Sequence, residues 1–146
     1  FSADYARKHN PWVDFTNVPA SVNQPFTSFP SDYTQLPTVA FVIPNQGDDM
    51  HSGSVAAADS WLQQNLGGYA TWAALHNSLL IIAWDEDDGS AANQVPLIFT
   101  GAHLHGGRYA ETVNHYDLLR TIEALTGVAY TGQAAQGATI ADVWAK

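Results

Sequence analysis

Residues 79–89 read LLIIAWDEDDG, an apolar run that ends in four adjacent carboxylates. A short apolar run bounded by a turn is typical of a strand buried in a sheet. Charges held beside a core need a cation or hydrogen-bond partners, so this acidic turn is the first candidate for a functional site. We therefore expect Asp85 and Glu86 to hold a divalent metal ion and Asp87 and Asp88 to shape the turn or to bind partners outside the inner coordination sphere. The alternative is a solvated acidic turn.

Apolar stretches on either side of this run predict an α/β fold. Residues 38–43 (TVAFVI), between two prolines, predict a strand buried on both faces, and residues 95–101 predict a third strand. Helical spacing of apolar residues predicts a helix over 54–66 that ends at Gly67-Gly68, followed by a short helix over about 69–76. This β–α–β order predicts a mostly parallel sheet sandwiched by helices, with a ligand site outside the carboxyl ends of the strands.

The two ends of the chain each add a prediction to the expected α/β fold. Residues 1–37 contain five prolines, so we expect an irregular segment that lines the site, with the basic group around His9 and Asn10 suited to an anionic substrate. Asn114 predicts the N-cap of a helix that stops at Gly127. His115, directly after that cap, is a candidate metal or phosphate ligand.

Charge and composition exclude several classes of function. The net charge of −9, with only five Lys and Arg, argues against nucleic-acid binding. The absence of cysteine excludes thiolate metal sites, and no apolar run approaches the length of a membrane span. The scarcity of Lys and the abundance of polar and aromatic residues suggest a secreted or periplasmic protein. The chain opens at Phe1 without Met, which we interpret as the result of a processing event.

A second polar cluster follows the predicted strand 38–43. The loop 45–53 (NQGDDMHSG) offers Asp49 and His51, residue types that bind metals, hydrogen-bond a phosphate oxygen or donate a proton.

The spacing of the acidic turn does not fit a helix-loop-helix calcium site, because Gly89 falls fifth and Pro96 twelfth from Asp85. Nucleophile-elbow and glycine-rich phosphate motifs are also missing from the sequence.

Five motifs in matching order resemble the phosphoesterase family of bacterial acid phosphatases and phospholipases C, in the alkaline-phosphatase-like superfamily. The resemblance runs from about residue 5 to residue 127. The motifs are KHNPW at 8–12, PN with DMH at 44–51, DxWL at 59–62, WDEDDG at 84–89 and NHYDLLRTIE at 114–123.

The resemblance assigns a cofactor to the acidic turn. Asp85 and Glu86 match the acidic pair that ligates the metal nearest the nucleophile in the family. One or two divalent ions are therefore expected, and two carboxylates with some imidazole suit zinc, calcium, manganese and iron nearly equally.

The resemblance also assigns substrate and catalytic roles. His9 and Asn10 match the family's His-Asn-Pro stretch beside the substrate. Asp49, His51 and His115 match positions that hold a second ion in two-metal relatives. In one-metal acid phosphatases these positions contact the phosphoryl group or protonate the leaving group. We therefore expect His51, His115 and His9 to be catalytic, and His9, Asn10, Asp49 and His51 to bind substrate.

Two elements of the family pattern are missing from residues 1–146. The family begins with an acidic-Asn metal-binding pair, followed by the Ser or Thr that attacks phosphorus. We therefore expect this chain to be the C-terminal portion of one phosphoesterase domain, a proteolytic or partial piece that is active only with an N-terminal fragment of the same polypeptide as its partner.

The expected activity is metal-dependent hydrolysis of phosphate monoesters, and two alternatives stay open. Within the enzyme class, the rival is a phospholipase C that acts on phosphodiester headgroups. From another class, the chain could be a non-catalytic secreted module that binds metal or carbohydrate, with its aromatic residues as a sugar platform. Those aromatics are Trp12, Trp61, Trp72 and Tyr109.

Overall fold

The computed structural model describes residues 5–90 and 92–145, and the chain forms two compact units. The first unit ends at Gly68 and the second begins at Tyr69. The first four residues of the predicted N-terminal segment lie outside the described residues. The helices and strands are, in chain order, α1 Val55–Ala73, β1 Leu79–Ala83, β2 Leu97–Gly101 and α2 His115–Thr126.

Residues 5–37 contain short 3-10 helices connected by extended residues, in keeping with the frequent prolines. Aromatic rings pack this segment within the first unit: Phe26 lies 5.2 Å from Trp61 of α1, between ring centroids. The 3-10 helices span Arg7–His9, Pro11–Asp14, Ala20–Val22, Phe26–Ser28 and Tyr33–Gln35.

The predicted strand over 38–43 is wrong for the described part of the chain. The segment bends at Thr38 and Val39 and pairs with no described strand, and its apolar side chains are not buried on both faces. Phe41 is 61% exposed, Val39 40% and Ile43 42%. A strand is defined by its ladder of backbone hydrogen bonds, and no other described segment supplies one here.

Helix α1 is continuous where the sequence predicted two helices. It runs through Gly67 and Gly68, which were expected to end it. Each glycine inside a helix costs about 1 kcal/mol relative to alanine. Packing accounts for Gly68, because a Cβ there would lie 2.7 Å from the Tyr33 hydroxyl. Glycine thus permits a close approach rather than a helix end.

The sheet of the described residues contains two strands, and they are antiparallel. Ile81 of β1 pairs with Phe99 of β2, and Leu79 pairs with Gly101. The predicted parallel arrangement is therefore not present in this part of the chain. The connection from β1 to β2 contains no helix, and a chain that reverses without a crossover returns antiparallel. Residues 79–82 are half-buried rather than fully buried.

Helix α2 confirms the predicted start and end. The Asn114 side chain accepts hydrogen bonds from the backbone of Tyr116 and Asp117, and Asp117 accepts one in return from the Asn114 N–H. This reciprocal capping box satisfies donors that the first helical turn leaves open. The helix ends at Gly127, whose φ of 72° suits glycine.

The C-terminal residues pack within the second unit. The backbone of Ile140 donates to the Thr121 hydroxyl of α2 at 2.9 Å, and both residues are buried. Leu104 forms a bridge with Trp144, whose ring meets that of Phe99 edge to face. Across residues 5–90 and 92–145, we find no helix with both the length and the apolar character needed to span a membrane.

Candidate functional site

Two of the four carboxylates after β1 build the turn itself. Asp87 accepts hydrogen bonds from the backbone N–H groups of Gly89 and Asn93, both at 2.8 Å, and its own N–H donates to the Asn93 side chain at 2.9 Å. Asp88 accepts from the backbone of Ser90 at 3.1 Å. The prediction that these two acids shape the turn is confirmed.

The other two carboxylates have no such role. Asp85 and Glu86 are exposed, and across residues 5–90 and 92–145 neither side chain makes a hydrogen bond or an ion pair. Their four oxygens are hard donors of the kind that divalent cations take. The donor chemistry therefore fits a metal ion, while the fixed turn beside it keeps the pair in place.

A complete metal cage is not formed by this part of the chain. Within the described ranges, no group of three or more His, Asp or Glu side chains is arranged to hold a metal ion. Structural metal sites enclose their ion with about four protein ligands. Asp85 and Glu86 alone are therefore too few to enclose an ion.

His115 is tied to the residue that precedes the acidic pair. Its Nε2 lies 2.7 Å from the carbonyl oxygen of Trp84, which can only accept a hydrogen bond. Nε2 must therefore carry a proton, and Nδ1 is the nitrogen left for a ligand when the ring is neutral. A backbone carbonyl commonly orients a functional imidazole in this way.

The loop that follows residues 38–43 is held by its own polar side chains. The Asn45 side chain accepts from the backbone of Gly47 at 2.8 Å and donates to Asp48 at 2.7 Å. Asp49 accepts from the backbone of His51 at 2.8 Å, across Met50, which has a φ of 78°. These bonds fix where Asp49 and His51 leave the backbone.

His9 lies beside this loop in the first unit. Its Nδ1 is 3.2 Å from Asp49 Oδ2, and its ring centroid is 5.5 Å from that of His51. Asn10 donates to the Asn23 side chain at 2.8 Å, while its own Oδ1 is buried and has no hydrogen-bond partner among the described residues. The structure therefore brings His9, Asp49 and His51 together.

The rest of the basic group is occupied elsewhere. Arg7 binds the Asp14 carboxylate at 2.6 Å, and that hydrogen bond is the main reason that the pKa of Arg7 is raised. Both side chains are more than half exposed, so the pair is worth little to stability. Its effect is to direct Arg7 towards Asp14, and His9 is the member of the basic group that lies beside the loop.

The aromatic residues of the alternative sugar platform each have a partner for their ring or hydroxyl. Trp12 meets Phe41, with 4.9 Å between ring centroids, and Trp61 meets Phe26. Trp72 stacks on His76 at 4.3 Å, and the Tyr109 hydroxyl donates to the carbonyl of His105. These contacts favour packing roles.

The predicted site residues are divided between the units. His9, Asn10, Asp49 and His51 belong to the first unit, and Asp85, Glu86 and His115 belong to the second. Sequence reasoning missed the contact between His9 and Asp49 and the part played by Asn93. Asn93 could have been found from its residue type, because asparagine tolerates the positive φ of 61° that it adopts.

Comparisons with known proteins show which protein family this chain resembles. The Phosphoesterase family matches residues 2–129. The chain is 52% identical over 142 residues to a phosphatidylinositol-3-phosphatase of Mycobacterium tuberculosis, covering 96% of this chain and 48% of that protein. It is 27% identical to an acid phosphatase of Aspergillus fumigatus, covering 96% of this chain and 34% of the relative.

A third relative, a phosphate-repressible acid phosphatase of Penicillium chrysogenum, is 29% identical over 93% of this chain and 36% of its own length. The chain thus spans about half the length of the mycobacterial relative and about a third of the fungal ones. A search of solved structures gave no match. The family match covers most of the sequence and includes each predicted site residue, and the chain accordingly belongs to the Phosphoesterase family.

Proposed function

We propose that this chain is the C-terminal part of a secreted or periplasmic enzyme that hydrolyses phosphate monoesters with a bound divalent metal ion. Phosphate-ester hydrolysis itself is the activity named for the phosphatase relatives. The observation that carries the proposal for this chain is the division of its acidic turn. Asp87 and Asp88 fold the turn, and the oxygens of Asp85 and Glu86 have no partner among the residues that the structure describes.

Asp85 and Glu86 would hold one ion, and the ligand set suits zinc, calcium, manganese or iron. When bound, such an ion lowers the pKa of an attacking hydroxyl and offsets charge on the phosphoryl oxygens. The two carboxylates would hold the ion near the end of β1, beside the turn that the hydrogen bonds of Asp87 form.

The imidazoles would serve the phosphoryl group. His9 and His51 lie together in the first unit and can hydrogen-bond phosphoryl oxygens or pass a proton to the departing alkoxide. His115 has one nitrogen held by the Trp84 carbonyl, so a single nitrogen remains for that task. Asn10 would add an amide donor or acceptor beside His9.

The nucleophile would come from an N-terminal segment of the same polypeptide. Two observations support this partner: the chain spans about half the length of its mycobacterial relative, and the apolar residues 38–43 have no pairing strand among the described residues. We propose that the segment supplies a Ser or Thr, the remaining metal ligands and the parallel strands that complete an alkaline-phosphatase-like sheet. Attack by that hydroxyl would give a phosphoenzyme that water then hydrolyses.

Monoesters are favoured over the phosphodiesters of a phospholipase C because the relatives reported above are named as phosphatases. The name of the mycobacterial relative makes a phosphoinositide 3-phosphate the lipid monoester to examine first. The sugar-binding alternative is opposed by the packing contacts of its proposed aromatic platform, and a non-catalytic metal-binding module would release no phosphate in the test below.

The test uses the full-length polypeptide with three substrates: nitrophenyl phosphate, a short-chain phosphatidylinositol 3-phosphate and a phosphatidylcholine analogue. We expect inorganic phosphate from the first two and no phosphocholine from the third. Dialysis against a chelator should abolish turnover, and one of the four metals should restore it. Phosphocholine release, or full activity after chelation, would contradict the proposal.

A second arm tests the partner. Chain 1–146 alone should be inactive, and mixing it with the separately produced N-terminal segment should restore hydrolysis. If chain 1–146 alone turned over nitrophenyl phosphate as fast as the full-length polypeptide, the proposal that the nucleophile lies on an N-terminal segment would be disproved.

A further inference from the structure

Only alternate residues of β1 point their backbone groups towards β2. Continuing the register by one residue puts Ser78 opposite Ala102, and the Ala102 N–H donates to the Ser78 carbonyl at 2.9 Å. Antiparallel partners alternate between pairs that exchange hydrogen bonds and pairs that do not. The next bonded residues of β1 are therefore Leu80 and Ile82. The residues whose N–H and C=O groups point away from β2 are Leu79, Ile81 and Ala83.

The contact of Tyr69 with the start of β1 agrees with this orientation. The Tyr69 hydroxyl donates to the Leu79 carbonyl at 3.2 Å, on the side of the strand that β2 does not cover. Further along, the N–H and C=O groups of Ile81 and Ala83 have no hydrogen-bond partner among residues 5–90 and 92–145. Such groups are a template for another strand. The outer edge of β1 thus offers a pairing surface that begins after Leu79.

The sequence of β1 is that of a strand with neighbours on both sides. Residues 79–83 read LLIIA, without the charges or prolines that protect an exposed sheet edge. By contrast, β2 begins directly after Pro96, and proline is confined to the edges and starts of strands because it lacks an N–H. Residues 79–82 are nevertheless only half-buried. The outer edge of β1, rather than that of β2, is therefore the edge that a further strand would cover.

We propose that the outer edge of β1 is the docking surface for a strand of the N-terminal segment, which pairs parallel to β1 at Ile81 and Ala83. One residue of a parallel strand can donate its N–H to the Ile81 carbonyl and accept from the Ala83 N–H. The chain spans 48% of its mycobacterial relative, which leaves ample length in that protein for such a strand. This inference rests on the proposed function, because that proposal supplies the segment.

The position of the acidic turn explains why the strand is parallel and why it lies beside β1. Asp85 and Glu86 directly follow β1, and the carboxyl ends of parallel strands meet at the same edge of a sheet. Residues that follow the docked strand would therefore lie beside this pair, where the nucleophile and the remaining ligands are needed. A strand on the far side of β2 would lie two strand spacings, about 10 Å, from β1.

A second copy of this chain is the competing occupant of the edge. Two copies related by a twofold axis would pair β1 with β1 antiparallel, which puts their acidic turns at opposite ends of the pair. Each copy carries a net charge of −9, so the two also repel. Self-pairing would neither complete the metal site nor bury the edge at low cost.

The first experiment is amide hydrogen exchange of the full-length polypeptide, resolved to single residues by NMR, with light scattering of the same sample. We expect the amides of Ile81 and Ala83 to exchange at least about 1000-fold more slowly than in an unfolded chain, because a paired strand must open first. The Phe99 amide points to the outer edge of β2 and should exchange at least about tenfold faster than that of Ile81.

The same spectra identify the partner of the edge. The coupling across a hydrogen bond, from the Ala83 amide nitrogen to the carbonyl carbon that accepts it, should lead to a residue of the N-terminal segment. Light scattering should show a monomer. An acceptor within residues 1–146, or protection that appears only in a dimer, would assign the edge to another occupant and overturn the inference.

Proline substitutions test the edge through stability. Ile81→Pro removes an N–H from the outer edge of β1 and keeps the bonds to β2, while its matched control Ile81→Ala retains that N–H. Phe99→Pro and Phe99→Ala form the same pair on the outer edge of β2. In the full-length polypeptide, proline should lower the thermal midpoint at least about 5 °C further than alanine at position 81, and less than half as far at position 99.

Two further results would overturn the inference: fast exchange of Ile81 and Ala83 in the full-length polypeptide, or a gap between proline and alanine at position 99 as large as that at position 81. If Ile81→Pro does not fold, exchange in the parent protein decides. Failure of the proposed function looks different. A protein that hydrolyses no phosphate ester while Ile81 and Ala83 stay protected would lack the activity and keep the docked strand.

Discussion

Two apolar stretches of this chain have similar composition but form different structures. Residues 38–43 (TVAFVI) and residues 79–83 (LLIIA) are both free of charge and both lead into a polar loop. The second forms β1 and pairs with β2, whereas the first has no pairing strand among the described residues and leaves Phe41 61% exposed. Composition alone therefore does not make a strand: the chain must also supply the neighbouring backbone.

The loops that follow the two stretches differ in a related way. After residues 79–83, Asp85 and Glu86 have no described partner, and after residues 38–43 both acids accept hydrogen bonds, Asp48 from Asn45 and Asp49 from the backbone of His51. The first loop offers open oxygens, and in the second the acids fold the loop that carries the His51 imidazole. The two stretches thus introduce groups with different chemistry.

The largest expected effect concerns the open oxygens. In the full-length polypeptide, Asp85→Asn should lower kcat/KM for nitrophenyl phosphate about 100- to 1000-fold, because metal stabilisation worth several kcal/mol is weakened. Asp88→Asn, in the same turn, should cost less than about tenfold, since Asp88 serves only Ser90. The metal content of each variant should be measured in the same samples. Equal losses of kcat/KM in the two variants would contradict the division of the turn into metal-binding and turn-forming acids.

Truncation of one side chain in each apolar stretch tests the comparison directly. Ile81→Ala should destabilise chain 1–146 by about 1–2 kcal/mol in urea unfolding, because Ile81 is half-buried opposite Phe99. Phe41→Ala should cost the same chain no more than about 1 kcal/mol, the scale of its ring contact with Trp12.

In the full-length polypeptide, Phe41→Ala should become costly, at about 3 kcal/mol, because the proposed sheet then buries the ring. A cost that is equally large in chain 1–146 alone would mean that residues 38–43 already have a partner there. The comparison between the two stretches would then fail.

A smaller effect, on stability, is expected from substitution of Asp87, one of the two acids that form the turn. Asp87→Ala removes acceptors for two backbone N–H groups, so the chain should lose about 1–2 kcal/mol of stability. Asp85→Ala should cost nothing measurable in the absence of metal. Chemical unfolding of the two variants in the presence of chelator checks this. A loss of stability in Asp85→Ala would show that the Asp85 side chain has a structural role in the turn, which contradicts the prediction.

The smallest effect concerns the helix that His115 begins. Asn114→Ala should cost about 1 kcal/mol, the usual value of an N-cap. Because His115 bonds the Trp84 carbonyl, fraying of the first turn should also raise hydrogen exchange at residues 115–117. Unchanged exchange at those amides would show that the histidine contact, rather than the cap, holds the helix start.

Local signals were sufficient for part of this structure. The start of α2 at Asn114 and its end at Gly127 depend on residues within one turn, and so does the use of Asp87 and Asp88 in the acidic turn. The strand over 38–43 failed because pairing depends on a segment far away in sequence. The expected break at Gly67-Gly68 failed because Tyr33, from another element, packs against Gly68.

The candidate site shows the same limit. The residue types at His9, Asp49 and His51 were predicted from the loop sequence and the family resemblance, but the contact of His9 with Asp49 joins segments that no local pattern connects. Metal coordination by Asp85 and Glu86 stays a prediction, as does the catalytic use of the histidines. Sequence identified the groups, and tertiary packing decided which of them touch.

The unpaired stretch 38–43 also bears on how this polypeptide avoids self-association. Six consecutive uncharged residues of high β-propensity, TVAFVI, have the composition of segments that stack between molecules into fibrils. Pro37 and Pro44 border it on both sides, and proline lacks the N–H that a growing cross-β ladder needs. The prolines that delimit the stretch thus also limit how far a misfolded neighbour can recruit it, which protects the polypeptide before the stretch is covered.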